Sequence, residues 1–118
     1  MVGYGPKEAT PNNEPTFKVV DEMPKFPGGQ EGLMRYLAKN IKYPTMAQQN
    51  KEQGKVLVQI VIGKDGNVSN IKILKGASAW LDAEAIRVVR GMPKWEPGKQ
   101  NGQAVAVEYT FPITFRLQ

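Results

Sequence analysis

The chain has 118 residues, 41% of them hydrophobic and 23% charged, with a net charge of +5, which suits one globular domain with a modest core. It contains no cysteine and no histidine, and this excludes thiol catalysis, cysteine-ligated zinc and any histidine-based triad or metal site. No run of Lys and Arg is dense enough to point to nucleic acid, and no apolar run approaches the roughly 18 residues of a membrane helix or the pattern of a signal peptide.

Residues 1–22 read as a flexible lead-in or linker, with Gly3, Gly5, Pro6, Pro11 and Pro15 set among polar residues. Only Phe17, Val19 and Val20 suit a short strand there. The folded domain is placed at residues 23–118. It opens on the turn cluster Met23–Gly29. A helix is predicted over Gln30–Asn40, with Leu33, Met34, Leu37 and Ile41 at helical spacing. Glu31 in its first turn and Lys39 in its last suit the helix dipole. Pro44 breaks that helix, and Thr45 suits the cap of a second short one over Met46–Glu52, ended by Gly54.

Lys55–Ile62 is apolar on both faces apart from Gln59, the mark of a strand that is covered on both faces or central in its sheet. Gly63–Asn67 is a hairpin loop with glycines for positive φ, and Val68–Lys75 returns from it with Ile71 and Ile73 facing inward. Leu81–Arg90 is the second main helix. Its apolar stripe of Leu81, Ala85, Val88, Val89 and Met92 lies opposite Asp82, Glu84, Arg87 and Arg90, and Gly91 and Pro93 stop it. Lys94–Lys99 bridges to the last strand.

From Val105 to Leu117 every odd position is apolar and every even one small or polar, so Gln103–Leu117 reads as a half-buried strand. At about 3.3 Å per residue it would run roughly 45–50 Å. Pro112 has no N–H for a ladder and belongs at edges, strand starts or bulges, which puts this strand at a sheet edge. The edge is open to two readings: one blunted by proline against foreign strands, or one kept available for a peptide bound by strand addition. The fold class expected is α+β. Its two layers are a three-stranded antiparallel sheet in the order 2-1-3 (the hairpin's second strand, its first, then the final strand) and two packed helices.

Chemistry is sparse. Asp82 and Glu84 lie two apart on a helix, do not face each other, and read as dipole and solubility charges; Asp65 belongs to a turn. Phe26-Pro27-Gly28-Gly29 lacks the preceding strand and following Lys-Ser/Thr of a phosphate loop, and its role is to set the entry into the first helix. Tyr43, held extended by Pro44, is either a packed corner or a peptide contact. Trp95 beside Pro97 is read as a core plug ahead of an exposed aromatic site. No catalytic residue, metal site or cofactor is expected, and the chain is not read as an enzyme.

In order and spacing these motifs carry a resemblance. Tyr43-Pro44, Gly54-Lys55-Val56, Asp65-Gly66-Asn67-Val68, Leu81-Asp82-Ala83-Glu84-Ala85 and Trp95-Glu96-Pro97-Gly98-Lys99, followed by the alternating strand, resemble the C-terminal domain of TonB-type energy transducers. Phe26-Pro27-Gly28-Gly29, Met92-Pro93-Lys94-Trp95 and Pro112-Ile113-Thr114-Phe115 resemble one branch of that family. The resemblance runs from about Phe17 to Leu117.

It implies a periplasmic domain whose parent is anchored in the inner membrane, works with ExbB and ExbD, and pulls on outer-membrane receptors that import siderophores, vitamins or glycans. It implies capture of the receptor's TonB box as a strand added to the final strand. Val105, Ala106, Val107, Glu108, Tyr109, Thr110 and Phe111 would form the pairing edge, with Asn40, Tyr43 and Pro44 flanking the peptide. Peptidoglycan and a homodimer through the long edge stand as further expected partners. Similar domains also end other membrane proteins, metallopeptidase-type signal transducers among them. The competing expectation is therefore a cell-wall-binding or sensor domain in which basic charge matters more than the edge.

Overall fold

The computed structural model describes residues 16–117. Its elements follow in the order β1 (Thr16–Phe17), α1 (Gly29–Asn40), α2 (Thr45–Gln49), β2 (Gly54–Ile62), β3 (Val68–Lys75), α3 (Ala79–Arg90), β4 (Gly98–Gln100) and β5 (Gln103–Phe115). The sheet order is β1-β5-β2-β3, and β4 pairs separately with β5. β2 is antiparallel to β3 on one side and to β5 on the other, from Gly54 opposite Phe115 to Ile62 opposite Val107. Its apolar run explains that central place: Val56, Val58, Ile60 and Ile62 are wholly buried in the main core, and Val61 is buried as well.

The core forms where the alternating faces of β2 and β5 meet the stripes of two helices. Leu33 and Leu37 come from α1, and Leu81, Ala85, Val88 and Val89 from α3. α3 starts where Ser78 accepts a hydrogen bond from the Leu81 N–H at 3.2 Å, the usual service of an N-cap serine. α1 starts from a turn packed close against it: a Cβ at Gly32 would stand 2.0 Å from the Pro27 oxygen. Trp95 closes one end of the core, its ring edge-on to Phe26 at 5.4 Å and to Tyr109 at 5.2 Å. The Trp95 backbone N–H donates to the Gly66 carbonyl at 2.9 Å, so the β2–β3 loop is tied beneath it.

The architecture departs from the expectation in several places. The sheet has five strands, not three, and it is mixed, because β1 runs parallel to β5 with Thr16 opposite Ala106 and Phe17 opposite Val107. Helices number three among the described residues: the two of the expected layer and the short one expected after Pro44, which forms over Thr45–Gln49 and not as far as Glu52. The described chain is already paired into the sheet at Thr16, and Glu22 bridges to Lys99. Residues 1–15 of the expected linker lie outside the described residues. β4, read from sequence as a bridge, forms a hairpin with β5 through Asn101 and Gly102, both at positive φ.

Candidate functional site

Among the described residues two strands carry unpaired backbone: β3 along its outer side, and β5 along part of one side. The other side of β5 is filled by β2 from Val107 to Phe115. The start of β5 is also occupied, because β4 pairs with Gln103–Val105 and β1 with Ala106 and Val107. From Glu108 to Phe115 no second strand pairs with it among the described residues. Pro112 shows which groups face outward. It sits in register opposite Leu57, and a proline fits a continuous ladder where its nitrogen points away from the neighbouring strand. By the two-residue period of a strand, the backbone groups of Glu108, Thr110 and Thr114 then point the same way, away from β2.

The side chains of this edge divide by face. Phe111, Ile113 and Phe115 are buried, whereas Thr110, Pro112 and Thr114 are exposed. Glu108 is nearly covered; its carboxylate lies 3.7 Å from the Lys18 ammonium and accepts from the Gln59 amide at 3.4 Å. Lys18 follows β1 directly, so that contact fixes the place where the chain's own strand leaves the edge.

Beside the edge runs a groove of about 350 Å³ between β5 and α1, walled by Leu33, Met34, Leu37 and Ile41 on the helix and by 111–114 on the strand. Met34 is 57% exposed, although its position belongs to the apolar stripe of α1.

The segment after α1 is held by a carboxylate that sequence reasoning had assigned to the solvent. Glu84 is buried, with a side chain only 9% exposed. It accepts from the Lys42 N–H at 2.7 Å and from two nitrogens of Arg87, each at 2.7 Å. Arg87 reaches on to the Asn40 carbonyl at 3.0 Å. The Arg87 hydrogen bonds, aided by the Lys42 amide and the neighbouring positive charges, outweigh burial and hold the Glu84 carboxyl below the ordinary carboxylate range. Asp82, its companion in the sequence reading, accepts from the Ala77 N–H at 2.9 Å and serves the start of α3.

The ten residues expected to bind a peptide are therefore not one surface. Glu108, Tyr109, Thr110 and Phe111 lie on the unpaired stretch. Val105, Ala106 and Val107 already have strand partners from their own chain. The Asn40 side chain donates back to the Tyr36 carbonyl at 2.9 Å. Tyr43 packs edge-on against Phe115 at 5.7 Å, with its hydroxyl bonded to the Glu52 carbonyl, so it sits at the far end of the edge. Pro44 is the N-cap of α2. Sequence reasoning missed Pro112–Phe115 and the α1 wall. An exposed methionine within a buried stripe, together with the proline that marks outward backbone, was the available signal.

This arrangement suits the capture of an extended chain by backbone pairing. Among the described residues no group of three or more metal-ligating side chains is found. Residues 39–117 match the family model described as Gram-negative bacterial TonB protein C-terminal. Among solved structures, the Helicobacter pylori TonB C-terminal domain spanning its residues 194–285 is 26% identical, with a TM-score of 0.58 over 75% of this chain and 92% of that one. A longer form of it, spanning residues 179–285, is 27% identical, with a TM-score of 0.56 over 73% and 78%. The Pseudomonas aeruginosa TonB C-terminal domain is 29% identical, with a TM-score of 0.53 over 65% and 78%. No curated protein matches.

Proposed function

This chain belongs to the TonB C-terminal family, and from that membership we propose that it is the periplasmic, receptor-binding end of a TonB-type energy transducer. In this reading the β5 edge captures the TonB box of an outer-membrane receptor as an added strand. The parent protein, anchored in the inner membrane and coupled to ExbB and ExbD, then passes on energy from the proton-motive force for uptake of a siderophore, vitamin or glycan. The observation that carries the reading is the unpaired stretch of β5 from Glu108 onward, in a strand otherwise paired along its length.

The energetics suit reversible capture. Thr110 and Thr114 each offer a donor and an acceptor, and Glu108 and Pro112 an acceptor alone, the Glu108 N–H being taken up by the parallel pairing with Phe17. At about 0.5–1.5 kcal/mol net per bond, this ladder contributes roughly 3–9 kcal/mol before the cost of association is deducted. Pulled along the strand direction, the bonds share the load, so the complex bears force before it releases.

The test is an amide NMR titration with peptides from the N-termini of candidate receptors. Shifts centred on 108–114 and near Tyr43 are expected, little changed between about 0.05 and 0.5 M salt because no charge pair carries the contact. Thr110→Pro, which removes an outward N–H, is expected to weaken binding by about two- to tenfold, and N-methylation of alternate peptide residues, which removes several donors at once with the protein untouched, to abolish it. Salt-sensitive binding to anionic peptidoglycan fragments that ignores both changes would overturn the reading in favour of a cell-wall or sensor domain.

A further inference from the structure

The groove beside β5 stands apart from the backbone ladder and is left unexplained by it. It is lined on one side by Gln30, Leu33, Met34, Leu37, Ala38 and Ile41 and on the other by 111–114, and no charged residue takes part. The family match begins at residue 39, so Leu33, Met34 and Leu37 precede it and nothing in that match gives this wall a role.

We propose that the groove is the specificity site of the captured strand, and that it receives apolar side chains carried two residues apart on an extended segment of a partner protein. The inference rests on the strand-capture reading above and adds the chemistry of what is captured. Three observations commit the groove to this occupant. The unpaired backbone runs along its length, and only an extended chain satisfies a row of alternating donors and acceptors. In a strand added to β5, the residues in register with Phe111 and Ile113 point to the same face as those side chains, which is the face α1 covers. Their surroundings are mainly apolar and hold no charge, with Gln30 and Thr114 the polar side chains of the lining, so an ionised side chain placed there loses water without gaining a charged partner.

The position of Pro112 supplies the reason for a side-chain site at this point. The ladder lacks one donor there, so the neighbouring bonds discriminate little and side-chain burial sets the preference. Met34 is suited to line such a site, being unbranched, adaptable and already exposed, and methionine fits itself to side chains of several shapes.

The experiment uses the full chain, labelled for NMR, with two capped six-residue peptides. One alternates threonine with valine; in the other, serine replaces valine. The valine peptide is expected to shift amides of 108–114 and the Met34 methyl, and to bind at least about tenfold more tightly than the serine peptide. Met34→Glu, on an exposed site where folding is little affected, is expected to erase that preference while leaving weak edge binding in place. If both peptides bind the edge equally, or Met34→Glu leaves their ratio unchanged, the groove inference falls while strand capture stands. If neither peptide moves the edge amides, both readings fall. Shifts at the same residues that grow with protein concentration alone would put a second copy in the groove and overturn the inference.

Discussion

Glu84 offers a direct test of how this domain holds the segment beside its edge. Its carboxylate is the acceptor for the Lys42 N–H and for two nitrogens of Arg87. In Glu84→Ala the Lys42 amide, partly buried, loses an acceptor of the charged kind, at about 2 kcal/mol. Arg87 is 55% exposed and finds water instead, so it adds little. The loss of about 2 kcal/mol corresponds to a fall in Tm of roughly 8–16 °C for a domain of this size.

The pH dependence is a sharper measurement. The Glu84 carboxyl is held below its ordinary value of 4.5, first of all by the Arg87 hydrogen bonds. A carboxylate with a depressed folded pKa contributes stability that is fully present above the unfolded value and is lost as pH falls through the folded one. Thermal unfolding followed by circular dichroism should therefore show wild type above Glu84→Gln by a constant margin from neutral pH down to about 4.5, with the margin closing below it. Asp65 is also depressed, chiefly by the Asn67 backbone N–H, but it is common to both chains and cancels in the difference. Amide exchange at Lys42 should accelerate in Glu84→Ala. A margin that is absent at pH 7, or that persists unchanged to about pH 3, would refute the clamp.

Other substitutions probe the frame around the site. Ser78→Ala removes the N-cap of α3 and should cost about 1 kcal/mol, or roughly 4–8 °C in Tm, with most of it restored by Ser78→Asp. Gly66→Ala should cost more than about 2 kcal/mol by chemical denaturation, since Gly66 has a φ of +88° and its Cβ would lie 2.2 Å from the Trp95 oxygen; a stable variant would show that the loop can leave Trp95 freely. The Trp95 indole N–H is buried without a partner among the described residues, so Trp95→Phe should cost much less than the roughly 3–5 kcal/mol of Trp95→Ala. Equal losses in those two variants would mean that the indole N–H is bonded.

The long elements were legible because each carries its own periodicity. The alternation of β5, the doubly apolar run of β2 and the stripe of α3 predict their places whatever else the chain does, and Pro112 predicts an edge. β4 was not legible, and for β1 only a short strand near Phe17 was expected, without its partner. At two and three residues they are shorter than any periodic signal; β1 is created by pairing some ninety residues away, Thr16 with Ala106, and β4 by a tight local hairpin with β5. Glu84 misled for a related reason. Its charge reads as solvated although its position, one turn from Leu81 and from Val88, borders the core stripe, and its acceptor role toward Lys42 comes from 42 residues away. The groove depends on how α1 lies beside β5, which no local pattern encodes.

These features bear on how a domain keeps a long edge available without pairing indiscriminately. An open strand is a template for any other strand, and β5 has the apolar alternation that makes such pairing favourable. Its own chain covers the first residues with β1, and Lys18 ties that segment to Glu108. Pro112 then interrupts the row of donors in the middle of what remains, so an arbitrary strand meets a gap where it gains least from its backbone. Together these limit what backbone pairing alone supplies. A partner with side chains suited to the α1 groove adds burial that an arbitrary strand lacks, and selection passes from the backbone, which all chains share, to side chains, which differ.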